Sequence, residues 1–395
     1  MADRLRAFGA ALMRLCMWPR LSLPIVLMIG GCAAYAPPRI DLESTGSSSD
    51  SAELESDIDK DRRQPLADIA RAAKHSTAKT ATDTADSVVA AQNGPSATKH
   101  SAGADTPPQS ALEMDVPMDV PEDDRATVAG KALRELCKQI GAKLGSVSEQ
   151  DCIAQDLTMT DGWSVQGRPI AFKSYTVSGD QTQQLGRVLL IGGIHGDEYS
   201  SVSICFRWME FLDKDRTNAF EWIVVPAANP DGLLQKKSQR QNARGVDLNR
   251  NFPSGDWNRL ALAQWRARYR ENPRRYPGAY AASEPEVTWL LQQIREFQPD
   301  VVIAVHAPYD LLDYDGPPTA PQRVGTLGLD RLGVFPGSLG GYAGLDLGIP
   351  VVTIELPHAG IMPSKNDIRK MWLDLIAWVH EQVTGSVTDR VTAAG

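Results

Sequence analysis

The segment Arg187-Val-Leu-Leu-Ile-Gly-Gly-Ile-His-Gly-Asp-Glu198 is the strongest fold signal in the chain. Its apolar start, closed by two glycines, is typical of a buried strand that opens onto a loop. Three more apolar runs follow, at residues 221–226, 300–305 and 350–354. Helical patterns lie at residues 200–212, 284–297 and 366–383, the second behind a capping-box motif at Ser283 and Glu286. Buried strands that alternate with helices predict an α/β fold, with a mixed, mostly parallel sheet and helices on both faces.

Side chains of the kind that bind metals follow three of these four runs. In chain order they are His195 and Glu198, then His306, then Glu355. Because ligands of open α/β sheets gather outside the carboxyl ends of the strands, we expect these side chains at one sheet edge. Two histidines and one glutamate with an open fourth position form a known catalytic zinc set. Taken singly, His306 also fits a core histidine and Glu355 a helix cap, so the prediction depends on the combination.

The composition limits the classes of function. The chain has 395 residues, 42% of them hydrophobic, and a net charge of −8 with a sequence pI near 5.4. This hydrophobic content suits a globular domain with a sizeable core. The acidic balance argues against nucleic-acid binding, because neutralising phosphates requires a basic face. No nucleic-acid partner is expected.

Residues 1–32 have the features of a bacterial lipoprotein signal peptide. Basic residues precede an apolar run at 21–29, which is shorter than the roughly 20 residues that a spanning helix needs. Two glycines then lead to Cys32, as in a lipobox whose cysteine carries the lipid. The alternative is an uncleaved hydrophobic N-terminus with an incidental cysteine. The lipobox predicts a periplasmic protein that is anchored through Cys32, and Ala33 favours the outer membrane of a Gram-negative bacterium.

Composition divides the rest of the chain into three parts. Residues 33–125 are rich in Ser, Thr, Ala, Asp and Pro and poor in aromatics, so they are predicted to be a disordered linker. Residues 126–150 have helical spacing and form a helical lead-in. The compact domain that carries the four apolar runs is expected at 151–385.

Three cysteines remain beyond the lipobox. In an oxidising compartment, Cys137 and Cys152 could form a disulfide that closes a short loop. Cys205 lies in an apolar helical pattern and is expected to be a buried free thiol. No Cys-x-x-Cys pair is present, so a thiolate zinc site is not expected.

Longer motifs connect the metal pattern with a known family. Asn229-Pro-Asp-Gly232 and Arg240-Gln-Asn-Ala-Arg-Gly-Val-Asp-Leu-Asn-Arg-Asn-Phe-Pro253, together with the histidine motif after the first run, resemble the signature of the zinc metallocarboxypeptidases. The resemblance covers roughly residues 162–383. Within the family, Gly196-Asp-Glu-Tyr-Ser-Ser201 is similar to the murein peptide amidases, which cleave the amide between γ-D-glutamate and meso-diaminopimelate in peptidoglycan peptides.

The resemblance implies a role for each matching residue. His195, Glu198 and His306 would bind one Zn²⁺ per chain. Glu355 would act as the general base, and Arg240 would stabilise the oxyanion of the tetrahedral intermediate. For Arg240, a solvated basic face is the alternative.

Further matched positions concern the substrate. Asn249 and Arg250 would hold a substrate carboxylate, and Asp247 would accept a hydrogen bond from the second ring nitrogen of His195. The segment 257–280 is rich in arginine; it either frames a site for anionic wall peptides or is a solvated basic helix.

Departures from the carboxypeptidase pattern favour the amidases. Counting back from Glu355, the usual specificity position falls on Gly341. No tyrosine lies near Gly333, where one often closes over the substrate, although Tyr309 or Tyr342 could replace it. The resemblance therefore implies a peptidoglycan amidase. The alternatives are a carboxypeptidase or N-acyl amino acid deacylase of the same fold, or a non-catalytic wall-binding lipoprotein.

Overall fold

The computed structural model describes residues 122–177, 184–215, 218–317 and 319–393. The predicted signal peptide at 1–32, including Cys32, lies outside the described residues, as does most of the predicted linker at 33–125. Within the described ranges, no helix has both the length and the apolar character that crossing a bilayer requires.

One mixed sheet forms the centre of the fold. The strands in chain order are β1 (Lys173–Tyr175), β2 (Gly186–Ile191), β3 (Phe220–Val225), β4 (Val301–His306), β5 (Leu311–Asp315), β6 (Arg323–Val324), β7 (Leu327–Gly328) and β8 (Val351–Glu355). Six of them pair in the spatial order β1-β3-β2-β4-β8-β5, and β6 and β7 form a separate pair. The four central strands run parallel, and each edge strand is antiparallel to its neighbour. The four predicted runs are these central strands, so the predicted α/β sheet is confirmed.

The edge strands β1 and β5 were not predicted. β1 has only three residues, which is too short to show a period. In β5 the carboxylates Asp313 and Asp315 interrupt the apolar pattern, and Asp is a residue type that strands usually avoid.

Helices cover both faces of the sheet. They are α1 (Glu122–Lys143), α2 (Glu149–Ala154), α3 (Tyr199–Lys214), α4 (Pro230–Leu234), α5 (Trp257–Ala267), α6 (Pro285–Phe297) and α7 (Lys365–Ala393). Successive strand side chains point to opposite faces. Val188 and Leu190 therefore pack into one core with residues of α1, α3 and α7, whereas Leu189 and Ile191 pack into a second core with residues of α6.

The start of α6 differs from the predicted capping box. The N-cap is Glu284 and makes no side-chain cap, while the Ser283 hydroxyl donates to the Glu284 carboxylate. Glu286 is fully buried and accepts hydrogen bonds from the Val165 amide at 3.2 Å and from Asn242 Nδ2 at 3.0 Å. The Glu286 side chain that was predicted to cap the helix therefore bonds to Val165 and Asn242 instead.

The helical lead-in is fastened to the domain by covalent and polar contacts. α1 extends from Glu122 to Lys143, so its start lies before the predicted start of the lead-in at residue 126. Cys137 and Cys152 form a disulfide that joins α1 to α2. Lys143 Nζ donates to the Gln235 carbonyl at 2.6 Å, next to the loop that leads to Arg240. Cys205 is a buried free thiol, as expected.

Candidate metal centre and active-site cleft

The carboxyl ends of the parallel strands deliver the four predicted side chains to one place. β2 leads into the loop that holds His195, and Glu198 is the N-cap of α3. β4 ends at His306 and β8 ends at Glu355, and these two residues are partners in the parallel ladder. All four side chains line one cleft, which is called the central cleft below.

Close backbone packing positions the His195 loop. Asn229 Nδ2 donates to the Ile194 carbonyl and to the Arg240 carbonyl, both at 3.2 Å, and thereby ties the loops that carry His195 and Arg240 together. Gly196 lies directly on the start of α4. A Cβ at this position would lie 2.1 Å from the carbonyl carbon of Gly232, so the approach requires glycine.

Three side chains converge as a metal-binding set. Ligand atoms of His195, Glu198 and His306 all lie within 4.8 Å of one another, and each residue is at most 4% exposed. His195 Nδ1 lies 2.7 Å from Glu198 Oε1, and His306 Nδ1 lies 3.0 Å from Glu198 Oε2 and 3.1 Å from His195 Nδ1. Two imidazoles and a carboxylate that meet in a buried space are the donor set that Zn²⁺ prefers, so the residues fit this ion.

The electrostatics of this set also suit a cation. Burial acts to raise the pKa of Glu198, but the two imidazoles outweigh it and hold the pKa well below its usual range. Burial lowers the pKa of His306 and favours the neutral ring, although the Glu198 charge opposes this. An ionised carboxylate and neutral rings are the forms that bind metal.

Asp247 links the metal-binding set to Arg240. Its Oδ1 lies 3.1 Å from His195 Nε2, which leaves Nδ1 of that ring directed toward Glu198 and His306. Its Oδ2 accepts from Arg240 Nε at 2.8 Å. Burial alone would raise the pKa of Asp247, but the charges of Arg240 and His195 hold it well below the usual value. The carboxylate thus fixes the orientation of both neighbours.

Arg240 lies inside the cleft rather than on a solvated face. It is 6% exposed, and its Nη1 lies 3.5 Å from Glu198 Oε1. The alternative of a solvated basic face at this position is therefore wrong. A guanidinium held beside the metal-binding set is placed to stabilise negative charge that develops there.

Glu355 carries a buried carboxylate with an unused oxygen. The residue is 6% exposed, and Oε2 has no hydrogen-bond partner among the described residues. Burial, followed by repulsion from Glu198, raises the pKa of Glu355 well above its usual range, while the Arg240 charge and the Tyr309 amide act in the opposite direction. A carboxyl with raised proton affinity beside a metal set has the properties of a proton shuttle.

Asn249 and Arg250 line the same cleft. Asn249 Oδ1 accepts from the Leu339 amide at 2.8 Å. Arg250 is 6% exposed, its Nη1 donates to the Asn249 carbonyl at 2.8 Å, and its guanidinium carbon lies 4.3 Å from the centre of the Phe335 ring. A planar guanidinium held in this way can bind a carboxylate through two hydrogen bonds.

Four cleft residues could not be identified from their motifs. Arg275 belongs to the arginine-rich segment, yet it is 4% exposed, lines the cleft and donates to the Tyr309 hydroxyl at 3.4 Å. Other arginines of the segment remain in solvent, such as Arg259 with a 56% exposed side chain. Of the two candidate tyrosines, Tyr309 lines the cleft, whereas Tyr342 stacks on Phe252. Asp313 and Asp315 of β5 also line the cleft.

Comparison with known proteins places these features in a family. The sequence profile described as zinc carboxypeptidase matches residues 155–322. Murein peptide amidase A of Escherichia coli K12 is 31% identical over 180 residues, covering 43% of this chain and 70% of the relative. Carboxypeptidase E of Caenorhabditis elegans is 34% identical over 139 residues, covering 30% of this chain and 29% of the relative.

The chain was also compared with solved structures. The crystal structure of murein-tripeptide amidase MpaA from Escherichia coli O157 aligns with a TM-score of 0.39 and 28% identity, covering 55% of this chain and 89% of that chain. The identity and coverage of the curated amidase, with the profile match, establish the relationship. The chain belongs to the zinc carboxypeptidase family and is an enzyme of the zinc metallopeptidase and amidase type.

Proposed function

We propose that this enzyme hydrolyses the γ-D-glutamyl–meso-diaminopimelate amide of peptidoglycan peptides. The observation that carries the reaction class is the convergence of three metal-binding side chains with the unpartnered oxygen of Glu355 in one cleft. The choice of bond is supported by the curated relatives named murein peptide amidase A, from Escherichia coli at 31% identity and from Vibrio campbellii at 28% identity.

His195, Glu198 and His306 would hold the zinc ion. When bound, zinc supplies Lewis-acid activation of water and of the scissile carbonyl. Asp247 holds His195 in the orientation that directs Nδ1 toward Glu198 and His306, where the ion would bind.

Glu355 moves the proton. Its Oε2 accepts the proton of the attacking water, and the same oxygen then delivers this proton to the nitrogen of the leaving amine.

The two arginines have different roles: Arg240 stabilises the developing negative charge, and Arg250 orients the substrate. Arg240, held by Asp247, donates to the oxyanion that develops when the carbonyl is attacked. Arg250 and Asn249 bind the carboxylate of the residue that will be released, which sets the scissile amide in reach of Glu355.

We also propose that the enzyme works in the periplasm as a lipoprotein anchored through Cys32 to the outer membrane. The support is the sequence pattern of a basic segment, a short apolar run and two glycines before the cysteine. Expression with and without Cys32→Ala, followed by membrane fractionation, tests the anchor. Membrane association that survives the substitution would contradict it.

A substrate panel tests the activity. Zinc-loaded enzyme is incubated with L-alanyl-γ-D-glutamyl-meso-diaminopimelate, with α-linked peptides that have free C-termini, and with N-acyl amino acids. The proposal predicts release of diaminopimelate from the first substrate and much slower turnover of the others. Release only from α-linked peptides would assign a carboxypeptidase, and release only from N-acyl amino acids a deacylase. Zinc binding without any hydrolysis would favour the wall-binding lipoprotein.

A further inference from the structure

The central cleft has an acidic wall that the catalytic roles do not use. Asp313 and Asp315 lie on β5, and both line the cleft. β5 pairs antiparallel with β8, so that Leu311 is opposite Glu355, Asp313 opposite Thr353 and Asp315 opposite Val351. Alternate residues of a strand share a face, which puts both carboxylates on one side of β5.

The two carboxylates lie at a defined distance from the catalytic end. At about 3.3 Å per residue, Asp313 and Asp315 are roughly 7 and 13 Å along β5 from the position opposite Glu355. Glu355 is 6% exposed and its Oε2 has no hydrogen-bond partner among the described residues, which indicates that the cleft is a ligand-binding site. Asp313 and Asp315 therefore line the same cleft as Glu355, farther along β5 from the catalytic end.

Glycines make room for this wall. A Cβ at Gly340 would lie 1.9 Å from Asp315 Oδ2, and one at Gly344 would lie 2.8 Å from Asp315 Cβ. Both belong to the helical turn Gly340–Asp346, which includes Gly341, the usual specificity position. The chain thus lacks a side chain at that position and instead presents carboxylates from the neighbouring strand.

A positive charge that acts on both carboxylates is that of Arg331, which forms no ion pair with either of them among the described residues. Asp313 is 5% exposed, and its Oδ1 accepts from the amides of Tyr314 and Leu332 at 2.9 and 3.1 Å. Among the described residues, neither Asp313 nor Asp315 forms a salt bridge; the Arg331 charge acts on both and only lowers their pKa values. Burial raises the pKa of Asp313 to about 6, and burial with repulsion from Asp313 raises that of Asp315 to about 7. A bound cation would relieve this repulsion.

We propose that Asp313 and Asp315 form the subsite for a positively charged side-chain end, an ammonium group, on the residue released from the amine side of the scissile bond. This inference rests on the proposed function and names its specificity residues. Three extended bonds span about 3.5 Å, so an ammonium five bonds beyond Cα reaches roughly 6 Å, close to the level of Asp313. Diaminopimelate and lysine both place an ammonium there.

The test compares substrates with and without this ammonium. L-alanyl-γ-D-glutamyl peptides are prepared with meso-diaminopimelate, L-lysine or L-2-aminopimelate as the last residue; the third keeps the distal carboxylate and lacks the amine. We expect kcat/KM to be at least about tenfold higher for the two ammonium substrates, because the carboxylates stay unpaired with the third. In Asp313→Asn and Asp315→Asn this preference should shrink to within about threefold through loss on the ammonium substrates. Asparagine at 313 keeps an Oδ1 acceptor for both amides.

The exposed Asp256, whose side chain is 60% exposed, provides the control variant Asp256→Asn, which should keep the preference. Equal rates of the wild-type enzyme on diaminopimelate and aminopimelate peptides, or a preference that survives both substitutions, would overturn the subsite. Failure of the proposed function would give a different result from failure of the subsite, because no γ-D-glutamyl peptide would then be cleaved.

In that case, calorimetric titration of the zinc-loaded protein gives a reading without turnover. The probes are free meso-diaminopimelate, lysine and norleucine. Tighter binding of the two diamines that is lost in Asp315→Asn supports the subsite, and equal binding of all three rejects it. N-acyl α-dipeptides that end in lysine or norleucine separate a general basic carboxypeptidase from a diaminopimelate-releasing amidase.

Discussion

His306 and Glu355 are direct neighbours at the ends of β4 and β8, paired in the parallel ladder. One strand therefore ends in an imidazole of the metal-binding set, and the next ends in the carboxylate that faces the same cleft. Because backbone hydrogen bonds fix this register, neither group can shift along its strand without breaking the sheet. The distance between His306 and Glu355 is thus set by the core of the fold.

Substitution of Asp247 should weaken metal binding. Asp247→Asn keeps the size of the side chain but removes the charge that orients His195 and Arg240, so zinc affinity should fall about 10- to 100-fold. Competition with a chromophoric chelator measures the affinity. Asp256→Asn, on an exposed helix cap, should bind zinc like the wild type. An unchanged affinity in Asp247→Asn would remove Asp247 from the account.

Arg250 should affect substrate binding more than chemistry. Arg250→Lys retains the charge but loses the planar fork that stacks on Phe335, so KM should rise about tenfold with a smaller change in kcat. Steady-state kinetics on the tripeptide measures both constants. The exposed Arg259→Lys is the matched control. A large fall in kcat at unchanged KM would assign Arg250 to the transition state instead.

Much of this site could be predicted from sequence, because strand-end positions and local motifs carry it. His195, Glu198 and Asp247 belong to short motifs, and His306 and Glu355 each end an apolar run. Arg275 could not be predicted, since it belongs to an arginine-rich segment in which Arg259 and Arg266 are solvent-exposed, and only the tertiary fold turns it inward.

The acidic wall could not be predicted from the sequence for a different physical reason. Asp313 and Asp315 lie on an antiparallel edge strand that has no apolar period, and their proximity to Gly340 depends on a helical turn far along the chain. Long-range pairing of this kind leaves no local pattern. The same holds for Glu286, whose capping motif was overridden by contacts with Asn242 and Val165.

Glu286 should make stability depend on pH. Burial raises its pKa from 4.5 to about 7; hydrogen bonds from Asn242 and Val165 oppose the shift, and the Asp231 charge adds to it. Between these values the folded state keeps a proton that the unfolded state releases, so the stabilisation is complete below pH 4.5 and is lost as pH rises through about 7. The free energy of unfolding that Glu286 contributes, and that is lost over this pH range, is about 3 kcal/mol.

Denaturant unfolding at pH 5 and pH 7.5, in the presence of chelator, measures this slope. Glu286→Gln should show a smaller fall in the free energy of unfolding over that interval than the wild type. Glu296→Gln, an exposed position on the same helix, should keep the wild-type slope. Equal slopes in all three proteins would show that Glu286 is ionised throughout.

The disulfide should stabilise the lead-in without serving the reaction. Cys137 and Cys152 are separated by 15 residues, and closing a loop of this size contributes about 3 kcal/mol in the unfolded-chain model. The double variant Cys137→Ser, Cys152→Ser should unfold at a lower temperature. It should retain the wild-type kcat at about 20 °C, which is well below the thermal unfolding midpoint of a typical domain. Calorimetry and kinetics on the same samples check both parts. Loss of activity in the folded variant would instead tie the lead-in to the cleft.

The most direct test of the central claim compares wild-type enzyme with Glu355→Gln on L-alanyl-γ-D-glutamyl-meso-diaminopimelate. Zinc content is measured in both proteins, and free diaminopimelate is followed by mass spectrometry. We expect one zinc per chain in both proteins, release of diaminopimelate by the wild type, and a loss in kcat of about 10²- to 10⁴-fold in the variant. Undiminished release by a zinc-loaded Glu355→Gln would contradict the role of Glu355 as the group that moves the proton.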